Sequence, residues 1–286
     1  MRINQLYGYR TEMDATAMRD TITPLEEDLS LPLVVKPYQN QVESISFEVR
    51  SMDMERLVED GQIGSFSQEN GEIQVRLQFE NILEQGTEYM LAIMVNCDGA
   101  PVYYYTRLVR EADYYVNETL DLVMNFHEQS FDKAQAGNLA LYLEPNSQGD
   151  NTTLQKVTIN SSLAQVSWAE FTGERLEQPI PSIKELGSSY NTVTLRYIVT
   201  AAGDGGEVEY YTVEEYYRVR YNSTINRMSL LNYERDMTQV FRGEKRTVNK
   251  NKLLLGIRPE DVKYKANEKG TVVAFIQEGE LWSYNI

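Results

Sequence analysis

Between residues 45 and 109 apolar side chains recur at every second position, and this spacing constrains the fold more than any other feature of the chain. Ile45, Phe47 and Val49 alternate with Ser46, Glu48 and Arg50. Ile73, Val75, Leu77 and Phe79 alternate with Gln74, Arg76, Gln78 and Glu80, and Tyr89, Leu91, Ile93 and Val95 form a third run. A period of two puts one set of side chains on each face of an extended strand, so each segment has a dry face and a wet one. Asp98-Gly99 supplies a hairpin turn into Val102–Val109, because glycine tolerates the positive φ of such turns. Strands broken by turns about every 10 residues, without a helical window, predict an antiparallel β-sandwich over residues 30–112. Tyrosine fits that expectation: 20 Tyr stand against 8 Phe and 2 Trp, and Tyr suits half-buried strands whose hydroxyls reach water. The segment before about Lys36 reads as polar and irregular, punctuated by Pro24, Pro32 and Pro37.

At Asn117 the period changes. Asn117 is a good N-cap, and Leu120, Val123, Met124 and His127 fall at helical spacing. A second helical stretch is expected from Asp132 to Glu144, stopped by Pro145, followed by a loop over Asn146–Asn151. Strands are expected at Val157–Ile159 and Gln165–Trp168. Beyond Pro179 and Pro181, Thr192–Ala201 and Glu207–Tyr221 read as a long hairpin through Gly203-Asp-Gly-Gly206, and Arg227–Tyr233 as a further strand.

Three resemblances follow from these residues. The strand spacing of the first region resembles a fibronectin-type or immunoglobulin-like domain, although no diagnostic Cys or Trp accompanies it. The order "LDLVMNFHEQSFDKAQAGNLALYLEP", then "TVTLRYIVTA", "EVEYYTVEEYYRVRYN" and "RMSLLNYERD", resembles the cone-shaped nuclear-transport-factor-like fold over residues 113–240. That family packs helices on the concave face of a bent antiparallel sheet; a cystatin-like sheet over one helix is the near alternative. The family includes enzymes and non-catalytic modules of bacterial surface proteins, so the fold alone does not fix a function. The tail, Val272–Tyr284, reads as a hairpin turning at Glu278-Gly279 and resembles the opening of a β-propeller blade, of which only one copy is present. The expected organisation is thus mainly β: a lead and antiparallel sandwich over 1–112, an α+β module with a bent antiparallel sheet against two helices over 113–240, and a basic connector with a terminal hairpin over 241–286.

Charge narrows the partners. With 27 basic and 43 acidic residues the chain carries −16, which repels nucleic-acid phosphates and anionic membrane surfaces. Residues 242–269 hold nine basic and four acidic side chains, a local +5 that marks either a change of module or a solvated basic face. No apolar run is long enough to predict a membrane span, and Met1-Arg2-Ile3-Asn4 opens no signal peptide. Ending at Leu281–Ile286, inside an expected strand, suggests a piece of a larger bacterial surface or envelope protein. An extracytoplasmic setting is therefore expected, with a cytoplasmic one as the alternative, and a protein or a cell-envelope glycan as partner.

Residues able to carry chemistry are few. His127 is the sole histidine and lacks a second His at i+4 for a metal-binding helix face. At an apolar helix position it reads first as packed core. The cone fold would let it serve as an acid or base in a pocket, for which His127, Tyr217 and Trp168 are the candidate lining residues. Cys97, the sole cysteine, sits at a hairpin tip beside Asp98, where a thiolate is disfavoured, and one Cys with one His cannot assemble a structural zinc site. Glu214 and Glu215 are adjacent on a strand and face opposite ways, and the pair Asp53 and Glu55 is of a kind that arises by chance among 43 acidic residues. Asn146–Asn151 offers oxygens without an EF-hand's spacing. Gly203–Gly206 joins two strands, whereas a phosphate-binding loop runs into a helix. Tyr103–Tyr105, Tyr210-Tyr211 and Tyr216-Tyr217 could stack on sugars, but alternation sends half of each cluster to the core. No catalytic centre, metal or cofactor is expected; the reading is a non-catalytic binding or scaffold role, with a small-molecule enzyme using His127 and a carbohydrate-binding module as alternatives.

Overall fold

A computed structural model describes residues 1–80, 82–111, 113–203, 206–240, 248–249, 252–253, 264–277 and 280–285. The protein is mainly β, built of several largely antiparallel sheets. Strands β1 (Ile22–Pro24), β2 (Ser30–Val35), β3 (Val42–Ser51), β4 (Leu57–Ile63), β5 (Gln68–Glu69), β6 (Glu72–Gln78), β7 (Glu88–Cys97) and β8 (Ala100–Val109) precede helix α1 (Val116–Phe131). After α1 come β9 (Lys156–Thr158), helix α2 (Leu163–Val166), β10 (Glu174–Arg175), β11 (Ser182–Glu185), β12 (Asn191–Ala202), β13 (Val208–Asn222) and β14 (Arg227–Gln239). The last short strands are β15 (Val248–Asn249), β16 (Lys252–Leu253), β17 (Tyr264–Ala266), β18 (Val272–Gln277) and β19 (Glu280–Asn285). The chain divides into two compact units: residues 1–128, 180–194 and 216–233 form the first, and residues 129–179, 195–215 and 234–286 the second.

In the first unit one sheet has the order β1-β8-β7-β3-β4 and another the order β2-β6-β5. A single cluster of buried side chains draws on both: Leu31, Ile73 and Leu77 from the smaller sheet, and Ile45, Phe47, Val49, Leu91, Ile93 and Val95 from the larger. Apart from Leu31 these are alternating positions of the sequence, so its period marks the shared dry faces. The opposite face of β7 is covered as well: Met90 packs with Ala15 of a short 3-10 turn and with Tyr105. The β7–β8 hairpin turns at Asp98-Gly99 with φ of 51° and 76°, closing Cys97 against Ala100. Two consecutive positive φ values match the right-handed twist of the strands.

The lead segment is not irregular as expected. It supplies β1, which runs parallel to β8, and β2, which pairs with β6. Three residues ending in Pro24, and a strand interrupted by Pro32, carry almost no period-two signal. Both strands lie at sheet edges, where a missing N–H is tolerated. Tertiary pairing places them instead: Thr106 Oγ1 lies 2.8 Å from Thr21 Oγ1 and 2.9 Å from Thr23 Oγ1. Within the same unit Phe126 of α1 meets Tyr217 edge-on at 5.6 Å and Tyr233 at 4.9 Å.

The second unit holds an aromatic cluster in which Phe131 lies 4.6 Å from Trp168 and 6.0 Å from Tyr197. β9 pairs antiparallel with the end of β14, setting Val157 opposite Arg235. Here two expectations fail. The stretch 132–144 holds only a 3-10 helix, Ala136–Leu141, and the strand expected at Gln165–Trp168 is the end of helix α2 and the turn that follows it. Ser162 starts that helix by accepting from the Gln165 amide at 3.3 Å, and residues 165–168 are all buried, a pattern alternation cannot produce. β18 and β19 form the expected terminal hairpin, with Gln277 opposite Glu280. Its turn residues Glu278-Gly279, the loop residues Asp204 and Gly205, and most of the basic 242–269 segment lie outside the described residues.

Candidate functional site

The first unit carries a polar cleft of about 460 Å³, lined by Arg19, Asp20, Arg107, Lys184, Thr192 and Arg218 among others. A second cleft of about 360 Å³ shares Arg107 and Glu185 and is walled by the loop from Leu186 to Tyr190. Basic side chains are concentrated here although the whole chain is strongly acidic.

Each wall is held by identifiable contacts. Asn4, buried and at φ 54°, clips β1 to β11: its Nδ2 donates to Ile22 O and Thr23 Oγ1, both at 2.8 Å, and its Oδ1 accepts from Ile183 N at 2.7 Å. Arg107 projects from β8, donating to Glu88 Oε2 at 3.1 Å, to Thr21 O at 3.3 Å and to the Lys184 carbonyl. The Lys184 ammonium donates to both Asp20 carboxylate oxygens at 2.8 Å, and Thr192 Oγ1 donates to Glu185 at 2.7 Å. Buried Asn191 anchors the loop, accepting from Gly187 N at 3.1 Å and donating to Tyr114 O and to Thr119 Oγ1.

Arg218 is different. On β13 the alternation buries Glu215, Tyr217 and Val219 and turns Tyr216 and Arg218 to the other face. The guanidinium lies over the Tyr190 ring at 4.6 Å and within 5.9 Å of the Tyr216 ring, a cation–π arrangement. Its Nε is buried without a hydrogen-bond partner.

The residues singled out in the sequence lie elsewhere. His127 and Tyr217 in the first unit and Trp168 in the second are all buried, at 0%, 0% and 2% exposure, and none of them lines either cleft. Trp168 Nε1 donates to Ser130 Oγ at 3.2 Å, and its ring carries the Arg235 guanidinium at 3.8 Å. Glu215 is buried and accepts from Tyr197 at 2.9 Å, whereas Glu214 is exposed, 3.4 Å from Arg196. Asp53 holds a turn, accepting from Ser51 Oγ and from Glu55 N. In the 146–151 loop, Asn146 and Asp150 spend oxygens on neighbouring amides and hydroxyls. Burial, then Asp98 and Glu43, pushes the Cys97 thiol above its ordinary pKa. Tyr105 and Tyr217 are buried, whereas Tyr103, Tyr104 and Tyr216 beside them are half-buried. Among the described residues no group of three or more His, Cys, Asp or Glu could hold a metal ion, and no helix is long and apolar enough to cross a membrane.

Sequence reasoning missed Arg107, Lys184 and Arg218 because they come from three strands far apart in the chain. The one local signal was the β13 alternation, which puts Arg218 on the face opposite Tyr217. No protein-family model matches the chain, and no curated protein is similar to it.

Proposed function

We propose that the chain is a non-catalytic ligand-binding or scaffold region of a bacterial extracytoplasmic or cell-surface protein, and that the Arg107–Lys184–Arg218 cleft is its binding site. The observation that carries this reading is the composition of the cleft. Two of its cations are tied in ion pairs, Arg107 with Glu88 and Lys184 with Asp20, which suits recognition by shape and charge rather than proton transfer. The buried position of His127 supports the same reading. We read the first region as a fibronectin- or immunoglobulin-like sandwich, on the strength of one apolar cluster drawn from two sheets. Residues 113–240 we read as a nuclear-transport-factor-like module, on the order of its helices and long strands. The surface setting rests on these module types and on the single cysteine.

The test is a thermal-shift screen of the full chain against small metabolites and cell-envelope saccharides, with each hit checked for chemical change. A ligand recovered unaltered, and bound equally well by His127→Gln, supports the proposal. Turnover of a hit that disappears in His127→Gln would overturn it.

A further inference from the structure

We propose that the cleft is an oxyanion site, and that Arg218 is the residue that recognises a small molecule bearing a carboxylate or a phosphate group. The inference rests on the binding role proposed above and specifies its ligand. The other cations of the cleft wall are engaged: Arg107 with Glu88, Lys184 with Asp20, and Arg19 with the Met52 carbonyl at 3.1 Å. Among the described residues the Arg218 guanidinium has no carboxylate within ion-pair distance and no hydrogen-bond acceptor, and its Nε is buried unsatisfied. In a chain with 43 acidic residues, an arginine that has no carboxylate partner among the described residues and rests against a tyrosine ring is open to another acceptor. A guanidinium offers five N–H donors in a planar fork that fits carboxylate and phosphate oxygens two at a time. The cation–π contact with Tyr190 holds the guanidinium in the cleft without consuming its N–H donors. Glu185, tied to Thr192, and the exposed hydroxyls of Ser188 and Ser189 sit in the adjoining cleft. These groups accept from or donate to ligand hydroxyls, and a cleft of about 460 Å³ suits a molecule of monosaccharide size.

The experiment is calorimetric titration of the full chain with glucuronate, inorganic phosphate and glucose, for the unaltered protein, Arg218→Gln and Arg218→Lys. Saturable binding of glucuronate or phosphate is expected. Arg218→Gln should weaken it at least tenfold, and Arg218→Lys less, because lysine keeps the charge but loses the fork. Binding of glucuronate alone assigns the carboxylate class, of phosphate alone the phosphate class. Binding of neither anion, or equal binding by Arg218→Gln, overturns the inference. Glucose binding that is indifferent to Arg218 would remove the oxyanion assignment while leaving the binding role standing. Should Arg218→Gln fail to fold, the comparison with Arg218→Lys decides: unchanged affinity in the lysine variant also overturns the proposal.

Discussion

Asn4 shows how much of the first unit hangs on single side chains. It lies in the left-handed region, where a short amide side chain is tolerated better than most, and it satisfies two acceptors on β1 and one amide on β11. Removing the side chain takes the acceptor from the Ile183 amide and a donor from Ile22 O and from Thr23 Oγ1, which keeps Thr106, at about 1–3 kcal/mol for each buried group left unpaired. Asn4→Ala is therefore expected to destabilise the protein by roughly 3 kcal/mol, read as a lower denaturant midpoint. Asn4→Gly should lose slightly less, because glycine accepts the positive φ. A loss below about 1 kcal/mol in both variants would show that β1 and β11 are held by other means. None of this was legible in the sequence, where Asn4 sits in a polar lead and its partners lie 18 to 179 positions away. The same holds for the cleft. A lone arginine gains meaning only from the tyrosine that folding places beneath it.

At the scale of elements, legibility follows agreement between local signals. The β7–β8 hairpin was readable because period, turn residues and strand propensity point the same way. The sequence predicts strand β14 only as far as Tyr233, whereas it runs to Gln239; the alternation continues through buried Arg235, a residue that looks like surface in a sequence. Helix α2 went unread because four residues give no period. It depends on capping instead: Arg235 donates to Gln165 O at 2.8 Å and Val166 O at 2.9 Å, and Lys133 Nζ reaches Ser167 O and Ala169 O. These cations meet the carbonyl end of the helix, where the dipole favours positive charge, and the chain leaves through Trp168 and Ala169, both at positive φ. Arg235→Leu keeps bulk but takes a charged donor from Val166 O and from Gln165 O, which keeps the Trp168 amide, and removes the cation over Trp168. It should cost roughly 3–4 kcal/mol. In a Trp282→Phe background it should also shift Trp168 emission, since the charge on the indole face disappears. Unchanged emission together with unchanged stability would mean that α2 needs no cationic cap.

For the whole molecule the governing quantity is charge, and its pH dependence has two parts of opposite sign. At −16 the folded chain repels itself at neutral pH, and titration toward the isoelectric point near 4.6 relieves that repulsion. Against this stand carboxylates that the fold holds below their ordinary pKa. Asp14 is lowered by the Thr16 hydroxyl and amide, Asp28 by the Ser30 hydroxyl, Asp53 by the Ser51 hydroxyl and Glu55 amide, Asp132 by the Ala134 amide and Gln135 side chain, and Asp150 by Thr152. A carboxylate lowered in the folded state stabilises fully above its unfolded pKa, and that contribution is lost as pH falls through the lowered value. Glu59, raised by burial, runs the other way: its contribution is full at low pH and lost as pH rises through the raised value. Melting temperature is therefore expected to hold or rise from about pH 8 to about pH 5, then to fall below about pH 4 as the turn-holding aspartates protonate. The two parts separate with salt. Raising NaCl from about 20 to about 300 mM at pH 7.5 screens the repulsion and should raise the melting temperature, and the gain should shrink at pH 5, where little net charge is left to screen. Maximal stability below pH 4, or salt that destabilises the protein at pH 7.5, would show that self-repulsion does not govern the pH response of this fold.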